Sequence, residues 1–265
     1  MLKIVPILAF ADNYIWTLLA PAEAVGTERR ACVVVDPGDA APVEAFLSEH
    51  RCELVGILIT HHHADHTGGI AALTATRDIP VYGPAKENIA GVTHALREAD
   101  FVELPAIDGI TLRVIEIPGH TRGHIAYVGD DFVLCGDTMF AAGCGRLFEG
   151  TPAQMYVSLA RLAALPPSTR VYCTHEYTLS NLRFALAVDT NNKALIERSF
   201  SDQATRERGE PTVPTTIERE RLTNPFLRCE SPEIRAHAEQ FTHKKLENVV
   251  DVFAAIRAYK DVFRG

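Results

Sequence analysis

The chain has 265 residues, of which 47% are hydrophobic and 23% are charged, and this composition is typical of a globular protein long enough to bury a full core. The formal net charge of −8 argues against a nucleic-acid-binding protein, because phosphate contacts need clustered Lys and Arg. No apolar stretch of the sequence approaches the roughly 20 residues that span a bilayer, so we expect no membrane insertion. The six cysteines form no C-x-x-C pair, which favours the reducing cytoplasm as the location of the protein.

In residues 1–175, apolar runs rich in β-branched residues alternate with segments of helical spacing. The former predict strands and the latter predict helices. The predicted strands are Ile4–Phe10, Ile15–Leu19, Ala31–Val35, Leu54–Ile59, Val81–Tyr82, Thr111–Ile117, Ile125–Val128, Phe132–Leu134 and Arg170–Cys173. The predicted helices are Ala41–His50, a stretch that ends at Thr76, Ala85–Leu96 and Ala153–Leu165.

After residue 175 the strand pattern stops, and only helices and one long polar loop, residues 203–221, are predicted. The helices are Leu179–Ala187, Asn191–Asp202, Pro232–Thr242 and Leu246–Phe263. Mixed strands and helices followed by helices alone indicate an α/β sandwich with a small all-helical domain. We therefore predict a catalytic domain over residues 1–175 and a helical domain over residues 176–265.

Four potential metal ligands directly follow the buried strand Leu54–Ile59, and they are His61, His63, Asp65 and His66. Residues two apart in an extended loop point the same way, so His61 and His63 can hold one ion while Asp65 and His66 turn toward a second position. The alternative is a polar loop with incidental histidines, which this density of ligands makes the weaker interpretation. Imidazole and carboxylate ligands suit zinc, iron or manganese.

His120, Asp137 and His175 each follow a later predicted strand, and loops at strand ends gather at one edge of an α/β fold. Each residue alone is more often structural, and only the shared position makes the three candidate ligands. Seven ligands are too many for one tetrahedral zinc but fit two ions that share the Asp137 carboxylate and a water or hydroxide. We assign no ligand role to His62, and we expect His124 to support the ligands or to be structural.

The segment Thr60–His66 resembles the T-H-x-H-x-D-H signature of the metallo-β-lactamase superfamily, whose later ligands His120, Asp137 and His175 match in order. That resemblance implies an αββα sandwich and a dinuclear metal-dependent hydrolase. More specific segments resemble the glyoxalase II family of hydroxyacylglutathione hydrolases, and these are Asp12–Trp16, Gly143–Thr151, Thr174–Thr178, Thr223–Arg228 and Arg257–Asp261. Against that family Glu23–Arg29 are extra residues, which predict a longer hairpin loop.

The family resemblance implies roles for individual residues. One metal would be held by His61, His63 and His120, and the other by Asp65, His66 and His175, with Asp137 as the bridge. Glutathione would be bound by residues that match Arg146, Tyr177, Arg257 and Lys260, and Phe148 stands where some members carry Tyr. Without the family, Arg257 and Lys260, three apart on a helix, would be interpreted as a solvated helix face.

The implied substrate is S-D-lactoylglutathione, hydrolysed to D-lactate and glutathione in the second step of methylglyoxal detoxification. Hydroxide would attack the thioester carbonyl, Asp65 would orient it, and a metal acting as Lewis acid would stabilise the oxyanion. The leaving thiol has a pKa near about 8.5, so no strong general acid is needed. We expect a monomeric cytoplasmic enzyme with no nucleic-acid or membrane partner.

Three alternative functions stay open from the sequence. The first is another hydrolase of the same fold, such as a lactonase, a β-lactamase or a phosphodiesterase. The second is a glutathione persulfide dioxygenase with one iron ion, which oxygen uptake would reveal. The third is a non-catalytic metal-dependent binding module, which an absence of thioesterase activity would favour.

Overall fold

The computed structural model describes residues 2–21 and 29–265, which form two compact units. The first unit holds the described residues up to Glu116 together with Gly123–Gly136, and the second holds Ile117–Arg122 and Asp137–Gly265. Residues 23–28 of the longer loop predicted from the sequence lie outside the described residues. The two units are discontinuous in sequence and so differ from the predicted domains, residues 1–175 and 176–265. The domain boundary at residue 175 stays a prediction.

A six-stranded sheet forms the centre of the first unit, with its strands in chain order from β1 to β6. Its strands are β1 (Lys3–Ala9), β2 (Asn13–Leu19), β3 (Arg30–Val35), β4 (Cys52–Leu58), β5 (Val81–Pro84) and β6 (His94–Leu96). The first two pairings are antiparallel and the following three are parallel. Because β3 and β4 are parallel neighbours, the loops that follow them emerge at the same edge of the sheet, which matters for the site below.

The helices α1 (Ala40–Glu49), α2 (Ala64–Thr67) and α3 (Ile70–Thr74) belong to the first unit. Asp39 begins α1, because its carboxylate accepts a hydrogen bond from the Ala41 amide at 2.9 Å. Apolar side chains of α1 and α3 are buried in one core with side chains of the sheet, among them Val43, Leu47, Leu73 and Ile57. Burial of each such side chain stabilises the fold by roughly 1.5–3 kcal/mol.

Four more strands of the first unit pair in an antiparallel meander: β7 (Phe101–Leu104), β8 (Ile110–Glu116), β9 (Ile125–Val128) and β10 (Phe132–Gly136). The buried Tyr127 of β9 donates its phenol hydrogen to the Ile59 carbonyl at 2.8 Å, so the meander is tied to the loop that follows β4.

The second unit is mostly helical. Its elements are β11 (Met139–Phe140), β12 (Gly143–Cys144), α4 (Pro152–Ala163), β13 (Arg170–Cys173), α5 (Thr178–Val188), α6 (Lys193–Glu207), β14 (Thr215–Thr216), α7 (Ile217–Thr223), α8 (Pro232–Thr242) and α9 (Val249–Val262). The Arg198 guanidinium, buried in α6, pairs with Asp202 at 3.1 Å and with Glu220 of α7 at 2.8 Å. Within residues 2–21 and 29–265, every helix is too short or too polar to cross a membrane.

The helix predicted at Ala85–Leu96 is wrong, since this segment forms turns that lead into β6. Gly91 has a left-handed backbone with φ of +88°, which ends any helix. The Thr93 hydroxyl accepts the Val81 amide hydrogen at 2.9 Å, and this contact between distant residues favours strand pairing. The strand β7 and the short pair β11 and β12 were not predicted.

The prediction of a strand-free loop at residues 203–221 is also wrong. Helix α6 extends to Glu207, β14 pairs antiparallel with β13, and α7 begins at Ile217. Charged side chains of this segment form ion pairs inside the second unit, such as Arg219 with Asp202 at 2.7 Å. Their polarity therefore does not indicate a loop.

Candidate metal centre

The segment that follows β4, a loop that leads into α2, presents its four predicted ligands as two pairs. The Nε2 atom of His61 lies 3.1 Å from Nδ1 of His63, and Nε2 of His66 lies 3.5 Å from Oδ2 of Asp65. Two ligands of a tetrahedral ion with bonds of about 2.0–2.1 Å lie about 3.3–3.4 Å apart. Both pairs therefore have the spacing of atoms that bind a common ion.

Asp36, the residue directly after β3, fixes the orientation of two of these histidines. Its Oδ1 accepts a hydrogen bond from the Thr60 amide, and its Oδ2 accepts one from the Thr60 hydroxyl, both at 2.7 Å. The Nδ1 atom of His66 lies 3.1 Å from the same Oδ2, and Nδ1 of His61 lies 3.0 Å from the Thr60 hydroxyl oxygen. Because the Thr60 hydroxyl hydrogen goes to Asp36, Nδ1 of His61 donates to the hydroxyl oxygen, and Nε2 of His61 is left as the ligand atom. Nδ1 of His66 faces the Asp36 carboxylate, which leaves its Nε2 on the side of Asp65.

Asp36 was not predicted as a site residue, because Asp36-Pro37-Gly38 indicates only a turn in the sequence. The available signal was its position, since it directly follows a buried strand in the same way as the predicted ligands do. Its partner Thr60 lies two residues after the end of the neighbouring strand β4, and the parallel register of Val35 with Leu58 brings the two together.

Two other polar residues support this loop. The Asn13 amide donates to Oδ2 of Asp65 at 3.2 Å, which accounts for the Asn in the N-terminal motif. The buried His124 ring stacks on His61 at 4.6 Å and donates through Nδ1 to the Ile125 carbonyl. The His62 ring contacts the Glu87 carboxylate at 3.0 Å.

The second unit gathers the other three predicted ligands around one carboxylate oxygen. Oδ2 of Asp137 lies 3.5 Å from Nε2 of His120 and 3.4 Å from Nε2 of His175. The His120 ring donates through Nδ1 to the Arg146 carbonyl at 2.9 Å, so its Nε2 is again the ligand atom. Each of these two spacings is that of ligand atoms that bind a common ion, so Asp137 can share an ion with either histidine.

Aromatic rings cover both of these histidines. Tyr177 stacks on His175 with centroids 4.7 Å apart and nearly parallel rings, and Phe148 meets His120 edge to face at 5.3 Å. Tyr177 is 37% exposed and Phe148 is 61% exposed, so both offer apolar surface next to a predicted ligand.

The predicted substrate-binding cations differ strongly in burial. Arg257 is only 5% exposed, and its guanidinium donates to the Cys144 carbonyl at 2.8 Å and to Asp261 at 3.0 Å. The Arg146 side chain is 67% exposed and lies 3.7 Å from Asp261. Arg257 is therefore held inside the unit, whereas Arg146 reaches solvent.

Lys260 combines partial burial with positive neighbours. Its ammonium donates to the Ser180 carbonyl at 3.2 Å and lies 5.5 Å from the centre of the Phe184 ring. Burial, together with the charges of Arg257 and other nearby arginines, lowers the pKa of Lys260 to about 8. Its charge therefore changes just above neutral pH.

All six cysteines are buried free thiols. Burial raises the pKa of Cys144 to about 11 and that of Cys173 to about 12, so neither thiol is a nucleophile near neutral pH.

Comparison with known proteins accounts for both parts of the chain. Residues 25–175 match the metallo-β-lactamase superfamily, and residues 176–263 match the C-terminus of hydroxyacylglutathione hydrolase. The chain is 55% identical to the hydroxyacylglutathione hydrolase of Alkalilimnicola ehrlichii, over 98% of this chain and 99% of that protein. The chain belongs to the hydroxyacylglutathione hydrolase family. Its counterpart from Cupriavidus taiwanensis is 50% identical over the full length of both proteins.

Membership of the hydroxyacylglutathione hydrolase family confirms the resemblance seen in the sequence. A solved structure, ETHE1 from Myxococcus xanthus, matches with a TM-score of 0.63 and 25% identity over 98% of both chains. The α/β metallo-β-lactamase fold with a helical C-terminal region is therefore confirmed. The fold and its histidine and aspartate clusters indicate that the chain binds divalent metal.

Proposed function

We propose that the chain hydrolyses S-D-lactoylglutathione and related S-2-hydroxyacylglutathiones to a 2-hydroxy acid and glutathione, the second step of methylglyoxal detoxification. The observation that carries the proposal is the 55% identity to a hydroxyacylglutathione hydrolase over nearly the whole chain, including the helical C-terminal region. The match of residues 176–263 to the C-terminus of hydroxyacylglutathione hydrolase argues against a lactonase or β-lactamase of the same fold.

The proposed centre contains two divalent ions, zinc in each position, with iron or manganese as alternatives. His61, His63 and His120 would hold one ion, Asp65, His66 and His175 the other, and Asp137 both. Supporting this set are the ligand-atom spacings of 3.1 and 3.5 Å in the first unit and the central position of Asp137 in the second. When bound, such a pair of ions lowers the pKa of a water toward about 7 and polarises the substrate carbonyl.

The side chains around this centre are proposed to orient the attacking oxygen and the metal ligands. Asp65 is proposed to orient the attacking oxygen, and the hydrogen bond from Asn13 holds its carboxylate in one position. Asp137 is proposed to keep the Nε2 atoms of His120 and His175 close to one carboxylate oxygen. The leaving thiolate needs no donor of high acidity, because thiols ionise with a pKa near about 8.5.

Glutathione carries two carboxylates, so its binding calls for cations. We propose that Arg146 and Lys260 contact the tripeptide directly and that Arg257 adds charge from its buried position. Tyr177 and Phe148 would contribute apolar contact beside the ligands His175 and His120.

The catalytic role is proposed for residues 1–175 and the glutathione-binding role for residues 176–265, with Arg146 as a contribution from the first range. A monomer in the cytoplasm, with no nucleic-acid or membrane partner, is the proposed working state. The buried free thiols support a reducing location.

The test is lactoylglutathione hydrolysis combined with metal analysis of the same sample. We expect loss of the thioester absorbance and about two metal ions per chain. His61→Ala should abolish turnover and lower the metal content, whereas His94→Ala, which alters an exposed histidine of β6, should do neither. A metal-loaded chain that consumes oxygen with glutathione persulfide, and does not cleave the thioester, would contradict the proposal.

A further inference from the structure

Phe10 is an exposed aromatic residue in a backbone conformation that disfavours it. It follows β1 at the start of the hairpin loop that leads to β2, where Ala9 pairs with Asn13. Its φ is +51°, in the left-handed region that glycine and asparagine adopt far more readily than bulky residues do. Its side chain is nevertheless 61% exposed. Neither local propensity nor core packing therefore explains a phenylalanine at this position.

The Phe10 ring lies beside the loop that carries the first unit's predicted metal ligands. A Cβ atom added to Gly38 would lie 2.8 Å from Cε2 of Phe10 and 1.9 Å from the carbonyl oxygen of Asp65. The absence of a side chain at Gly38 thus allows the ring on one side and the Asp65 backbone on the other to approach closely. Asn13, at the far end of the same hairpin loop, donates to the Asp65 carboxylate.

Leu8, near the same end of β1, is a second exposed apolar side chain, with 71% of its surface exposed. Large exposed apolar side chains beside a catalytic loop contact the ligand in many enzymes, and backbone outliers concentrate where function maintains them. The charges of glutathione suit the cationic residues of the second unit. The part of the substrate that suits an uncharged aromatic surface is the acyl group.

We infer that Phe10 is a specificity-determining residue whose ring contacts the acyl group of the thioester substrate and favours larger apolar acyl groups. The inference rests on the proposed function. It assigns Phe10 no part in binding glutathione.

The experiment compares two substrates, S-mandeloylglutathione and S-lactoylglutathione, which differ only in the acyl group. Phe10→Asn removes the ring and suits the left-handed backbone, so this variant should keep a Tm at or above that of the unmodified chain. We expect the ratio of kcat/KM for mandeloyl over lactoyl substrate to fall about 10-fold, as is usual for the loss of an apolar contact of this size. Inhibition by free glutathione should be unchanged.

Phe101→Asn is the matched control, because Phe101 is also 61% exposed but lies at the start of β7. Its substrate ratio should equal that of the unmodified chain. If Phe10→Asn leaves the ratio unchanged while the unmodified chain cleaves both thioesters, the acyl contact is refuted and the proposed function stands. If the metal-loaded unmodified chain cleaves neither thioester, the proposed function fails and the acyl contact fails with it.

Discussion

The two units orient their predicted metal ligands in different ways. In the first unit, four ligands lie within six residues of one loop, and the carboxylate of Asp36 behind them orients two histidines. In the second unit, three ligands come from three separate segments and meet at Asp137, which is itself a predicted ligand. Ligands that are close in sequence are thus oriented by a residue outside their own segment, Asp36. Ligands from separate segments are instead gathered around one of themselves, Asp137.

The largest effect should come from Asp137→Asn, which keeps the size of the side chain and removes the charge that both histidines face. We expect loss of bound metal and a fall in kcat/KM greater than the roughly 10–100-fold that a supporting residue causes. Elemental analysis and steady-state kinetics on lactoylglutathione measure both. Asp130→Asn, in the exposed turn after β9, is the control and should change neither.

Asp36→Asn should have the next largest effect, because the neutral amide is a weaker acceptor for both the Thr60 hydroxyl and His66. A roughly 10–100-fold loss of metal affinity is expected, since this is the usual effect of changing a residue behind the ligands. Competition with a chelator measures it. Thr60→Val removes the hydroxyl contacts to Asp36 and His61 but keeps the Asp36 carboxylate beside His66, so it should cost less. Equal losses of metal affinity in the two variants would contradict the role of Asp36 in orienting both His61 and His66.

Lys260 gives a prediction about pH. Its pKa of about 8, below the usual 10.5, means that the ammonium is charged below pH 8 and loses its charge above it. KM for lactoylglutathione should therefore rise as the pH passes 8. Lys260→Arg keeps its charge throughout this range, so its KM should stay level. Because the unfolded chain holds this proton more tightly, the contribution of Lys260 to the free energy of unfolding should increase between pH 8 and 10.5.

The smallest effect is expected from Phe148→Tyr, which adds a hydroxyl to a ring that packs on His120 and is well exposed. One added hydrogen bond to the substrate should lower KM about 2- to 10-fold, with kcat nearly unchanged. Steady-state kinetics decide the matter, and an unchanged KM would mean that the substrate does not reach this ring.

The strands and most helices of the fold could be predicted because their burial pattern follows the local sequence. β4 and α8 show this, since a β-branched apolar run and an amphipathic segment begun by Pro232 need no distant partner to be recognised. The segment Ala85–Leu96 could not be predicted, because pairing with Val81 overrides its helical spacing.

The site shows the same limit. His61, His63, Asp65 and His66 were recognised because they are close in sequence, whereas Asp36 lies 24 residues before Thr60 and becomes visible only in three dimensions. The burial of Arg257 was also hidden, because its spacing from Lys260 indicates a shared helix face but not the Cys144 carbonyl that the guanidinium meets.

The burial of the cysteine thiols affects how they react with disulfides. The proposed product, glutathione, is a thiol, and its disulfide exchanges with protein thiolates. Cys144 and Cys173, with pKa values of about 11 and 12, carry almost no thiolate at neutral pH. Thiols in this state are protected from exchange with the disulfide of oxidised glutathione, which would otherwise leave a mixed disulfide on the protein and release one glutathione.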